Sequence, residues 1–79
     1  MVRLPVVSDK EIIRVLLKLG FKFAPKRGKG SHIALFKVDE DGRKLVIVPR
    51  RKEIPRGTLL SILDQAHLTK EDFFKLLSQ

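Results

Sequence analysis

The chain has 79 residues and carries 17 Lys and Arg against 9 Asp and Glu, a net charge of +8. That length bounds it to one small domain over residues 1–79, and 43% hydrophobic residues are enough for a core and too many for a disordered chain. Cysteine is absent and there are only two histidines, which excludes a disulfide framework and argues against a metal centre, while no apolar run approaches the ~20 residues that span a bilayer.

Ser8-Asp9-Lys10-Glu11 is a capping-box pattern. Ile12, Val15, Leu16 and Leu19 follow at helical spacing, with Ile13 and Leu17 widening the apolar face, and Gly20 fits a left-handed stop. A helix is predicted from about Asp9 to Leu19. Phe21-Lys22-Phe23 alternates as a half-buried strand would, and Pro25 suggests an edge strand or a strand end. Gly28-Lys29-Gly30 makes the turn into a second strand, Ser31 to Val38. Asp39-Glu40-Asp41-Gly42 is a hairpin turn, with Gly42 supplying a positive φ. Leu45 to Val48 is the third strand, closed by Pro49, and Arg50 to Arg56 is a basic loop.

Gly57-Thr58 opens a second helix, with Thr58 as the expected N-cap and Leu59, Leu60, Ile62, Leu63 and Ala66 as the apolar face. His67-Leu68 breaks it, a place where an imidazole suits the macrodipole. Thr69 caps a short terminal helix packed through Phe73, Leu76 and Leu77. The order is helix, three strands, helix, short helix. Short connections make the strands an antiparallel meander, and the apolar stripes put both longer helices on one face of an α+β fold.

The charge is concentrated from Lys26 to Lys29 and from Arg50 to Arg56, which points to a polyanion and to binding that weakens with salt. His32 stands directly after the first cluster, and histidine is the side chain whose ordinary pKa lies near neutrality. With RNA as the polyanion, the 2′-hydroxyl is an internal nucleophile. One group removes its proton, a cation stabilises the phosphate and an acid protonates the leaving 5′-oxygen, and a histidine serves as either base or acid. Strand alternation puts Ile33 and Leu35 on one side and His32, Ala34 and Phe36 on the other. If Ile33 and Leu35 face the helices, His32 is on the open face, and Phe36 offers a ring on which a base can stack. In the opposite register His32 is buried. Gly28-Lys29-Gly30-Ser31 lacks the spacing and the following helix of a nucleotide loop, and Asp39, Glu40 and Asp41 read as turn residues.

Four segments resemble the HicA, or YcfA-like, family of toxin–antitoxin toxins that act as mRNA interferases. They are the helix from Ser8 to Gly20 with Phe21; Gly30-Ser31-His32 with its alternating strand; Val48-Pro49 followed by basic residues; and Ile54-Pro55-Arg56-Gly57-Thr58-Leu59-Leu60-Ser61-Ile62-Leu63-Asp64-Gln65-Ala66, which carries the glycine-threonine-leucine second helix. The resemblance implies a double-stranded-RNA-binding-like fold, α-β-β-β-α, with a short extra C-terminal helix. It implies an endoribonuclease with His32 as catalytic residue and neither metal nor cofactor, and the lack of a bilayer-length apolar run and of a signal-peptide pattern makes a cytoplasmic location the expectation. Lys26, Arg27, Lys29, Ser31, Phe36, Arg50 and Arg51 are the expected RNA contacts. The expected partners are mRNA and a HicB-like antitoxin, without membrane association, the free toxin being a monomer or weak homodimer. The chain departs from many relatives in having no histidine in Arg50-Arg51-Lys52, and Lys29 lengthens the loop before the catalytic strand. A non-catalytic RNA-binding module is the alternative, and a domain that binds only protein a third.

Overall fold

Ser8 begins the first helix as the capping box requires: its hydroxyl accepts from the Glu11 N–H, and Glu11 Oε1 accepts from the Ser8 N–H at 3.0 Å. In the computed structural model, which describes residues 5–24, 30 and 32–79, this helix is α1, Asp9–Lys18. Gly20 follows at φ +96°, a conformation that admits a side chain only with strain. The chain then enters β1, Lys22–Phe23, which leaves Phe21 of the alternating stretch outside the strand and in the core. β2, His32–Asp39, and β3, Gly42–Pro49, form a long hairpin, and the sheet order β1-β2-β3 is the expected antiparallel meander. Both hairpin strands run past their apolar segments. Lys37 pairs with Lys44 and Val38 with Arg43, and Lys44 Nζ bonds Asp39 Oδ2 at 2.6 Å, so charged residues extend the ladder that apolar patterning alone ends early. Gly42, at φ +112°, closes the turn as expected.

α2 spans Arg56–Ala66 and corrects one expectation: its N-cap is Pro55, not Thr58. Pro55 has φ −58° and ψ 146°, and its carbonyl accepts the first helical bond from the Leu59 N–H at 2.9 Å. Proline's fixed φ is pre-organised for helix entry, so the helix starts a turn earlier and Thr58 sits inside it. Leu60 is also displaced from the expected apolar face and stands exposed. α2 ends at His67, in the left-handed region at φ 58°. The Leu68 N–H reaches back to the Leu63 carbonyl at 2.9 Å, which closes a Schellman-type cap. Thr69 caps α3, Lys70–Leu77, by accepting from the Asp72 N–H.

One core unites these elements. Ile12, Val15 and Leu16 of α1, Leu59, Ile62 and Leu63 of α2 and Phe73 of α3 bury against Leu35, Val46 and Val48 of the sheet. Ile33 packs partly against the same core. The register is therefore the one with Ile33 and Leu35 toward the helices, and His32, Ala34 and Phe36 on the other face. Among the described residues, no helix is long and apolar enough to cross a membrane.

Candidate functional site

His32 is the first residue of β2, exposed, with Pro49 opposite it on β3. Pro49 is the last residue of its strand, so the chain passes directly from the partner of His32 into Arg50 and Arg51. Both arginines are exposed, yet their loop is held by main-chain bonds. The Asp9 N–H donates to the Arg51 carbonyl at 3.0 Å, and the Ile54 N–H donates to the Val7 carbonyl at 2.8 Å. The Ile54 side chain is buried in the core. The start of α1 thus fixes the basic loop beside the catalytic candidate.

Three depressions share His32 in their walls. One of about 270 Å³ lies among His32, Pro49, Arg50 and Arg51. A second, of about 220 Å³, runs toward Ala24 and Gly30 of the β1–β2 connection and includes Arg50. The third, of about 370 Å³, extends the other way to α2, where Thr58, Ser61 and Gln65 form its far wall. His32 is therefore the common point of a groove with arginines at its middle. Two larger surface depressions, of about 810 Å³ along the Arg51–Arg56 segment and about 600 Å³ between α1 and β1, do not include His32. Size is the weaker criterion here, because both are open surfaces without an imidazole.

Of the residues expected to contact RNA, Arg50 and Arg51 join His32 in this groove. Phe36 lies on the same face, half-buried and four residues along β2, but lines none of the three depressions; the Arg43 guanidinium stands 5.8 Å from its ring centroid. Lys26, Arg27, Lys29 and Ser31 lie outside the described residues. His67, at the end of α2, lines none of the depressions around His32.

Sequence reasoning did not assign the α2 wall. Thr58, Ser61 and Gln65 are spaced by three and four residues, one flank of the helix, with Ile62 lining the same cleft. That stripe reads as an ordinary solvent face until α2 is laid against the sheet. Its placement is fixed by Gln65, whose Oε1 accepts from the Ile47 N–H at 3.1 Å. β3 is a sheet edge, and an edge strand presents N–H groups in need of partners.

The family model described as HicA toxin of bacterial toxin-antitoxin matches residues 10–68. The match spans α1, the whole sheet and α2, and so includes every element that lines the His32 groove. No curated protein was found to match the chain.

Proposed function

Starting from the chain's membership of the HicA toxin family of bacterial toxin–antitoxin systems, we infer that this toxin is an endoribonuclease that cleaves mRNA at His32. The observation that carries the reading is the convergence of three depressions on one exposed imidazole, with Arg50 and Arg51 beside it. RNA lies along the groove with the scissile phosphate next to His32. The 2′-oxygen attacks phosphorus, the bond from phosphorus to the 5′-oxygen breaks, and the products carry a 2′,3′-cyclic phosphate and a 5′-hydroxyl. His32 performs one of the two proton transfers, as base toward the 2′-hydroxyl or as acid toward the 5′-oxygen, and the other passes to solvent. The arginines stabilise the added negative charge on the phosphorane oxygens. No metal or cofactor enters this scheme. Lys26, Arg27, Lys29 and Ser31 extend the phosphate contacts, and Phe36 offers a stacking surface further along the face. An acidic, HicB-like antitoxin covers the basic groove and silences it.

The test is incubation with single-stranded RNA in EDTA, beside His32→Ala. Cleavage that survives the chelator and falls by about 10²–10⁴-fold in the variant is the expected result. His32 is exposed, so the substitution should leave the fold intact within about 0.5 kcal/mol. The groove has a single imidazole among its described residues, and this favours a second reading, an RNA-binding module without catalysis. Binding without cleavage in either protein would establish that reading instead.

A further inference from the structure

The cleft between His32 and α2 has polar groups whose arrangement goes beyond holding a phosphate. Its sheet wall is His32 and Pro49, and its helix wall is Thr58, Ser61 and Gln65. At about 370 Å³ it lies at the small end of the roughly 300–1,000 Å³ of small-ligand sites, suited to one nucleotide unit. Gln65 is the informative member. The Ile47 N–H is a donor, so the Gln65 atom that meets it at 3.1 Å must be the carbonyl oxygen. With the oxygen held at the sheet edge, the group Gln65 has to offer a ligand in the cleft is its amine, a donor. A glutamine recognises adenine best by using both oxygen and amine, one accepting and one donating. This glutamine has its oxygen engaged, which disfavours that mode.

We propose that this cleft is a base-recognition subsite beside the phosphate bound at His32, in which Gln65 donates to a carbonyl of uracil or guanine and, its oxygen engaged, denies adenine the two-bond contact through which a glutamine favours it. Pro49 provides an apolar surface for the ring, and the Thr58 and Ser61 hydroxyls are adaptable partners for the remaining edge and the ribose. The inference rests on RNA being the ligand, as proposed above, and is independent of whether the RNA is cleaved.

The experiment measures binding of 2′-O-methyl oligouridylate and oligoadenylate, which lack the internal nucleophile, to the unaltered toxin, Gln65→Glu and Gln65→Met. Gln65→Glu keeps an oxygen for the Ile47 N–H and removes the amine; Gln65→Met removes both and adds no charge. The unaltered toxin should prefer the uridylate. Both variants should lower the ratio of the two affinities by about three- to tenfold, the scale of one hydrogen bond, whatever happens to affinity as a whole. A ratio that stays the same in both variants, or no preference in the unaltered toxin, overturns the subsite. Absence of binding to either oligomer at low salt overturns it together with the RNA reading. A ratio that shifts as expected, in a protein that cleaves no RNA in the EDTA assay, sustains the subsite and sinks only the catalytic reading.

Discussion

At the scale of single residues, the tasks proposed for the arginines and for the imidazole can be tested separately. Arg51 lines two of the depressions around His32 and Arg50 the other pairing of two. Arg51→Ala should weaken RNA binding uniformly across sequences and reduce the slope of log K against log salt by about 0.7 for a single strand. Lys75→Ala, on α3, should leave that slope unchanged; filter-binding titrations over a range of salt read both. The contrast separates a phosphate contact from the general attraction of a +8 protein. The cationic, glycine-rich approach marks His32 in the sequence, but its side of the sheet is open between two registers there, and the burial of Leu35 in the core is what places His32 on the open face. Gln65 was not legible. Its role depends on the angle at which α2 meets the edge of β3, a tertiary relation that no spacing within the helix encodes.

At the scale of elements, caps and turns were the most readable features. Ser8 with Glu11, Gly20, Gly42 and Thr69 all occupy the places their chemistry suggests. The second helix starts a turn before Thr58 because the backbone restriction of Pro55 outweighs the capping preference of a threonine hydroxyl. His67 is a non-glycine residue at φ 58°, a conformation that costs roughly 1–2 kcal/mol for an L-residue. His67→Gly should therefore raise stability by about 0.5–1 kcal/mol in urea denaturation, the relief being partly offset by glycine's greater freedom when unfolded. The hairpin end gives a pH dependence. Lys44, bonded to Asp39 at 2.6 Å, holds that carboxyl below the ordinary aspartate range, helped by the Asp41 N–H. A lowered folded pKa stabilises above the unfolded value and is lost as pH falls through the folded value. The unaltered protein should thus exceed Asp39→Asn in stability near neutrality, and the gap should close on acidification below about pH 4. The gap is small because the pair is partly solvated.

At the scale of the whole molecule, the short α3 closes the core. Phe73 is buried, and the cations of α1 meet the end of α3: Lys18 Nζ donates to the Leu76 and Gln79 carbonyls at 3.2 and 3.0 Å, and Arg14 Nη2 to the Leu77 carbonyl at 3.3 Å. Phe73→Ala should cost about 3–5 kcal/mol, read from the urea midpoint, a large share of the roughly 5–15 kcal/mol that holds a domain folded. The clamp on the basic loop has a different consequence. Its two anchoring bonds, from the Asp9 N–H to the Arg51 carbonyl and from the Ile54 N–H to the Val7 carbonyl, involve only main-chain atoms. The loop's path is therefore indifferent to which side chain stands at position 51, while the space above it opens onto His32. Position 51 is a socket. Histidine can replace arginine there without rebuilding the backbone, so Arg51→His is expected to set a second imidazole beside His32 while the fold stays as it is.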